Sequence, residues 1–377
     1  MNNETRKETQ VLPKDVRYVG ADDLTLPLFE NQYPVQPMGV SYNSYLILDE
    51  KIAVMDSVDA RAADEWLAKL AHELDGRSPD YLVISHMEPD HSGSILRLAE
   101  KYQEMKLVGN TKTFTMLRQF FGAKAPTDDR LLEVGEGETL PLGAHTLHFM
   151  LAPMVHWPEV MVAYEETEKL LFSADAFGRF GSLGRTANAP WAPQARRYYY
   201  NIVGKYGAQV QALLKKASAL EIKTVCPLHG PVLTGEALGE ALRLYDLWSR
   251  WQSESPDDIL LAHASIHGNT ARAAELFKQK LEAKGARVTL CDLTTTEVSY
   301  AVANAFYCGK LVLACSTYDG GLFPPMEEFL SHLQAKGFRS RTVGLMENGS
   351  WAPAAARLMR AKLEEMKDLR VCGTVVS

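Results

Sequence analysis

The chain has 377 residues, a length that suits two domains better than one. Its formal net charge is −7 and it carries no basic run, which argues against nucleic acid as a partner. No apolar run approaches the roughly 18 residues of a membrane span, and Met1 to Gln10 are polar and mixed in charge, unlike a secretory signal. The five cysteines, Cys226, Cys291, Cys308, Cys315 and Cys372, are odd in number and contain no Cys-x-x-Cys pair. They suit buried thiols in a reducing cytoplasm, and they leave the chain without a rubredoxin-like or zinc-ribbon module of its own.

Along the chain, residues 45–48 and 52–56 read as a hairpin closed around Asp49-Glu50-Lys51. A helix is expected over 60–74, with Trp66, Leu67 and Leu70 on one face. The apolar run 81–85 reads as a buried parallel strand. It delivers His86-Met87-Glu88-Pro89-Asp90-His91 at its carboxyl end, four potential metal ligands in six residues. A helix at 94–102 and strands at 106–109, 145–151, 160–164 and 170–172 follow. A helix at 206–219 and a short strand at 224–227 complete this part. Short strands with helices between and after them predict a two-sheet sandwich with helices outside.

The polar, proline-bearing stretch Ser253-Glu254-Ser255-Pro256-Asp257-Asp258 predicts a boundary between domains 1–252 and 258–377. Beyond it, strands at 259–264, 287–291, 311–315, 342–346 and 369–376 alternate with helices at 270–283, 298–305, 325–335 and 353–365. That alternation predicts a doubly wound parallel sheet.

Three further ligand candidates sit in loops downstream of the first cluster: His156, Asp175 and His229. Single histidines such as His72, His145, His148 and His332 are read as satisfied residues, not ligands. The cluster after residue 85 differs. Four ionisable groups crowded beyond a buried strand would suffer desolvation and mutual repulsion without a cation. Seven ligands in four loops are enough for two metal ions. A zinc hydrolase of the metallo-β-lactamase type usually shows His-x-His-x-Asp-His, whereas Glu88 stands here for the second histidine. Mixed imidazole and carboxylate ligands suit iron. Three carboxylates against two ferrous ions come close to neutrality with one hydroxide, and Asp175 is the natural bridge.

In the second part, Ser265-Ile266-His267-Gly268-Asn269-Thr270 joins a first strand to a helix, as a phosphate cradle does. Ser316-Thr317-Tyr318-Asp319-Gly320-Gly321 and Glu347-Asn348-Gly349-Ser350-Trp351 follow later strands of the same sheet and supply an aromatic each. A flat isoalloxazine ring needs such aromatic walls and backbone hydrogen bonds at strand ends.

Taken together, these residues resemble the flavodiiron proteins (A-type flavoproteins), an αββα metallo-β-lactamase-like domain followed by a flavodoxin-like domain. Ser41-Tyr42-Asn43-Ser44-Tyr45-Leu46 and Arg197-Tyr198-Tyr199-Tyr200-Asn201-Ile202 add to the likeness, which covers nearly the whole chain. The resemblance implies one iron on His86, Glu88 and His156, another on Asp90, His91 and His229, and Asp175 as the bridge. It implies FMN on the second domain and electrons from rubredoxin or a similar small donor. It implies reduction of dioxygen to water or of nitric oxide to nitrous oxide, in a head-to-tail homodimer. Tyr198, Tyr199 or Tyr200 is a candidate donor of a hydrogen bond or proton near the irons, and aromatic packing is the alternative reading for each. A zinc-dependent hydrolase with an accessory flavodoxin-like domain is the alternative, and Glu88 argues against it. A pure electron carrier is a third reading, which the intact seven-ligand set opposes.

Two departures from the family pattern stand out. Many relatives carry Phe-His-Gly where this chain has Phe29-Glu30-Asn31. The sequence given also ends just after the fifth expected strand, where flavodoxin-like domains usually add a helix. Apolar sheet or helix surface is therefore expected to lie open.

Overall fold

The computed structural model describes residues 12–376, so the expectation for Met1 to Gln10 lies outside the described residues. The chain divides into two units. The first runs through Tyr198 and resumes at Ala208–Arg243, and the second holds Tyr199–Gly207 and the residues from Leu244 onward.

The first unit contains two six-stranded sheets. One orders Val16–Tyr18, Tyr45–Ile47, Ala53–Met55, Tyr81–Val83, Lys106–Gly109 and Leu131–Glu133. The expected hairpin is there, Tyr45 pairing with Met55 and Ile47 with Ala53. The strands of Ala53, Tyr81 and Lys106 then run parallel, as expected of a run buried on both faces. The other sheet orders Thr139–Pro141, Thr146–Leu151, Met161–Glu165, Leu170–Phe172, Thr224–Cys226 and Leu233–Thr234. Between the sheets lies one apolar cluster, with Ile47, Met55, Val83 and Val108 from the first and Leu147, Phe149, Ala163 and Phe172 from the second. Burying these side chains is the main stabilisation of the unit, on the order of 1.5–3 kcal/mol for each large one. The strand Tyr81–Val83 is thus clamped on both faces, and the loop after it starts from a rigid point.

Several helices went unread in the sequence, among them Thr111–Phe121, Trp191–Tyr198 and Gly235–Ser249. Thr111–Phe121 starts at Asn110, whose side chain accepts hydrogen bonds from the N–H groups of Lys112 and Thr113, a capping signal present in the sequence. Gly235–Ser249 begins and is interrupted by glycine, which masks its periodicity. Among the described residues no helix is long and apolar enough to cross a membrane.

The second unit holds a parallel sheet in the order Val288–Asp292, Ser255–Ala264, Cys308–Tyr318, Thr342–Asn348, Arg370–Val376. This is the flavodoxin-type order, with the first strand beside the second and third. The strand Ser255–Ala264 begins inside the stretch read as a polar break. Ser255 pairs with Cys308, and the register then shifts before Ile259 pairs with Lys310. Pro256, which has no N–H to give the ladder, lies in that irregular stretch. An apolar groove along one sheet face is lined by Phe277, Leu281, Val312, Leu345, Met346 and Val375. Four of the cysteines are buried, but Cys372 is exposed because it lies on the edge strand Arg370–Val376.

Candidate metal centre

Local sequence explains how the ligand loops are aimed. Pro89 opens the short helix Pro89–Ser92, where its missing N–H costs nothing, so Glu88 immediately precedes the helix and Asp90 and His91 occupy its only turn. Ala174 adopts φ +50, an unfavourable conformation for a residue with a Cβ, and it turns the chain just before Asp175. Gly230, at φ +80, does the same without strain just after His229.

The structure brings all seven expected residues into one buried cluster made of two sets: His86, Glu88, His156 and Asp175, and Asp90, His91 and His229. Asp175 Oδ2 lies 3.4 Å from His86 Nε2 and 3.1 Å from His156 Nε2. Its Oδ1 lies 3.3 Å from His91 Nε2 and 3.6 Å from His229 Nε2. The two oxygens of one carboxylate therefore face two different sets. Glu88 Oε2 approaches both His86 and His156, at 3.2 and 3.0 Å. Asp90 Oδ2 approaches both His91 and His229, at 3.3 and 3.2 Å. Both Asp175 oxygens, both Asp90 oxygens and His156 Nε2 are buried without a well-formed hydrogen bond. Buried acceptors in that condition are what a cation would satisfy.

Around the cluster, the unliganded ring nitrogens are largely tied down. His86 Nδ1 lies 2.8 Å from Glu159 Oε1, which also accepts from the Met87 N–H at 2.9 Å. A carboxylate behind an imidazole orients the ring and makes it a better ligand. His229 Nδ1 donates to the Ser41 carbonyl at 2.6 Å, and Ser41 Oγ accepts from Gly230 N–H at 2.8 Å. Asn43 Nδ2 donates to the carbonyls of Pro227 and Gly230 at 2.8 and 2.7 Å. The Ser-Tyr-Asn segment is thus the clamp of the His229 loop. Asp56 accepts from Ser85 N–H at 2.7 Å and steadies the start of the first ligand loop. Sequence reasoning missed Glu159 and Asp56. The only local signal was a lone carboxylate at the edge of a ligand loop or strand. His145 and His148, read as satisfied non-ligand residues, pair with Glu165 and Glu166 at 3.0 and 2.7 Å and take no part in the cluster.

The charges are strongly coupled. Burial alone would lower the His86 pKa, but hydrogen bonds to Glu159 and Glu88 and the Asp175 charge raise it well above the ordinary value. Burial likewise opposes protonation of His156, and Asp175 and Glu88 override it and push its pKa up to about 9. Burial would raise Asp175, yet its contacts with His156 and His91 hold it well below the ordinary carboxylate range. In the metal-free protein a proton on His156 thus does part of a cation's work. The stability it contributes is complete below its ordinary value of about 6.5 and is lost as pH rises through about 9. The melting temperature of metal-free protein is therefore expected to fall across that window, while metal-loaded protein holds steady. Metal loading at neutral pH is expected to release protons. Calorimetry in buffers of different ionisation enthalpy checks this, and loading with no proton release contradicts it.

The adjacent tyrosines separate. The Tyr198 ring lies 5.6 Å from that of His229 and packs on Phe29 and Phe180. Its buried hydroxyl makes no hydrogen bond, and burial and the charges of Asp175, Asp90 and Glu88 raise its pKa far above the ordinary value. Tyr199 belongs to the second unit, where its ring packs against Tyr200, Tyr245 and Trp248. The electrostatic neighbours of its hydroxyl are tyrosines, not ligand carboxylates. Tyr200 stacks on Phe306 at 3.9 Å in the same unit. Glu30 stands at the rim of the cluster with its carboxyl hydrogen-bonded to Glu88. Crowding by surrounding protein and the Glu88 charge push its pKa up to about 7.

In the second unit, the loop 265–270 follows the strand Ser255–Ala264, with Gly268 at φ +85 capping the helix Asn269–Glu282. Ile266, His267 and Asn269 are exposed. Ser265 Oγ is buried and unpartnered, while Thr270 Oγ1 pairs with Ser316 Oγ at 2.7 Å. Asp319 and Gly320 form a two-residue turn between Tyr318 and Gly321. Thr317 Oγ1 is occupied differently from expectation, accepting from the N–H groups of Ala354 and Ala355 at 2.9 and 3.2 Å. Asn348 ends its strand, and Gly349, Ser350 and Trp351 form the loop beyond. Tyr318 is 42% exposed and Trp351 is 83% exposed.

A sequence-family profile described as ODP family beta lactamase matches residues 40–230, over half of the chain. The chain belongs to this family, among its flavodiiron members. It is 27% identical over 362 residues to the rubredoxin-oxygen oxidoreductase of Megalodesulfovibrio gigas, covering 92% of this chain and 87% of that relative. It is 26% identical over 364 residues to the anaerobic nitric oxide reductase flavorubredoxin of Vibrio vulnificus, covering 93% of this chain and 72% of that one. The crystal structure of the flavodiiron protein from Giardia intestinalis superposes with a TM-score of 0.87 at 26% identity, over 96% of this chain and 90% of that chain.

Proposed function

We propose that this flavodiiron family member is an oxidoreductase that reduces dioxygen to water, nitric oxide to nitrous oxide, or both, at a diiron centre. Its electrons would come through FMN from rubredoxin or a similar small donor. The observation that carries the reading is the division of Asp175, one oxygen toward each set of ligands. A single carboxylate shared in this way suits two ions a few ångströms apart. The names of the two oxidoreductase relatives point to the same pair of gases and the same kind of donor.

When bound, the iron pair would supply the electrons and coordination sites for a small diatomic, and FMN would store two electrons for it. The chain's own residues do the rest. Glu159, Ser41 and Asn43 hold the ligands in place. The buried hydroxyl of Tyr198, kept protonated by burial and the carboxylates around it, is a hydrogen-bond donor facing the centre. Phe29, Phe180 and Tyr198 wall the His229 side with apolar surface.

For the flavin, Ser265 Oγ is the free hydroxyl of the cradle, and Tyr318 and Trp351 are the exposed ring walls. The phosphate would sit at Ser265–Thr270, with Ser316, Asp319, Gly320, Asn348, Gly349 and Ser350 around the ring. Thr270→Val would cut its pairing with Ser316, and Gly268→Val would strain a left-handed position, so neither tests the cradle alone. Ser265→Asp instead places a negative charge where the phosphate would bind. It is expected to release FMN and leave iron content unchanged, read by absorbance and elemental analysis. Full flavin occupancy would move the site elsewhere.

The active unit in this reading is a head-to-tail homodimer. The experiment that decides the whole is metal and flavin content followed by anaerobic turnover with each gas under a chemically reduced donor. Stoichiometric zinc from iron-replete cells, with no turnover of either gas, would favour the hydrolase.

A further inference from the structure

We propose that Glu30 is an eighth protein ligand of the metal centre, joining His86, Glu88 and His156 on one of its two ions. The inference rests on the diiron reading and goes one residue beyond it.

The backbone is the first observation. Leu28–Phe29 and Tyr33–Pro34 form a small antiparallel hairpin, closed by a hydrogen bond from Gln32 N–H to the Phe29 carbonyl at 3.0 Å. Of the three loop residues, the two at the centre of the Phe29–Gln32 turn are both left-handed, Glu30 at φ +50 and Asn31 at φ +54. Such a turn asks for Gly, Asn or Asp at both positions. Asn31 meets that demand and Glu30 does not. A disfavoured residue held in a strained conformation points to a use for its side chain.

The second observation is where the turn is anchored. The Phe29 ring is buried edge-on against the His229 ring at 5.3 Å and against Tyr198 at 6.2 Å. The hairpin is therefore pinned to the centre. The Glu30 carboxyl meets Glu88, with His156 and Asp90 as further electrostatic neighbours. Two carboxyl groups in contact repel unless a proton or a cation lies between them. Glu88 also meets His86 and His156 through its Oε2, so Glu30, at the rim, adjoins a carboxylate of that ligand set. The buried His156 Nε2 and Asp175 Oδ2 there lack well-formed hydrogen bonds.

Charge completes the case. Glu88, Asp90 and Asp175 give −3, and Glu30 makes −4, equal and opposite to two divalent ions. The centre then reaches neutrality from protein groups alone, without an exogenous anion.

The test compares wild type with Glu30→Asn and Glu30→Ala, using metal-free protein titrated anaerobically with ferrous iron and, as a spectroscopic probe, cobalt(II). Asn suits the left-handed turn better than Glu, so Glu30→Asn keeps the hairpin while removing the carboxylate, and its metal-free melting temperature should equal or exceed wild type. One of the two ions is expected to bind about tenfold more weakly or worse in both variants, the other unchanged. The visible cobalt bands of the weakened site should intensify as its coordination number falls. Two ions bound with wild-type affinity and unchanged cobalt spectra in both variants would overturn the assignment and leave the diiron reading intact. A wild type that binds fewer than two ions would overturn both.

Discussion

Asp175→Asn is expected to cost the protein both metal ions in one step. Each Asp175 oxygen serves a different set of ligands, so neutralising this side chain damages two coordination spheres together. Removing a carboxylate that merely orients a ligand typically weakens metal binding about 10–100-fold, and loss of a shared ligand should exceed that at both positions. The metal-free protein suffers too. The Asp175 carboxylate, held well below the ordinary range, stabilises the fold above that range and loses its effect as pH falls toward its folded value. In Asp175→Asn, His156 loses its main counter-charge and His86 and His91 lose part of theirs, so its metal-free melting temperature should drop most near neutral pH. A titration with ferrous iron and a thermal melt of the metal-free form measure both effects. Loss of one ion with the other retained at wild-type affinity would refute the bridge.

A mixed dimer of two inactive chains is expected to turn over. One chain carries Asp175→Ala and lacks the metal centre, and the other carries Ser265→Asp and lacks flavin. The family resemblance implies that flavin on one chain serves the metal centre of the other, and two-fold symmetry closes such an assembly with one kind of interface. Neither homodimer should work with a protein donor. A mixed dimer keeps one working pair out of two. Equal co-expression, in which half of the dimers are mixed, should therefore recover about a quarter of wild-type activity. Isolation through two different affinity tags, with metal and flavin measured on the product, establishes that mixed dimers formed. Inactive mixed dimers with half-complements of both cofactors would place electron transfer within one chain.

The amino-acid sequence by itself carried the order of elements and the identity of the candidate ligands. Apolar runs such as 81–85 could only be buried strands, and ionisable residues dense at their ends had no structural reason to be there. What a linear reading cannot hold is direction. Tyr198 and Tyr199 are neighbours in the chain, yet successive helical residues point about 100° apart. One ring meets His229, and the other packs among Tyr245 and Trp248. Thr270 and Ser316 both read as flavin contacts, and only the parallel pairing of their strands' ends brings their hydroxyls together. Glu159 looked like an ordinary loop carboxylate until the second sheet carried it behind His86. Glu30 was legible as an odd residue, while its left-handed turn, its anchor on His229 and its contact with Glu88 were not. Identity and spacing are properties of the chain. Which oxygen faces which nitrogen is decided by packing between segments far apart in sequence.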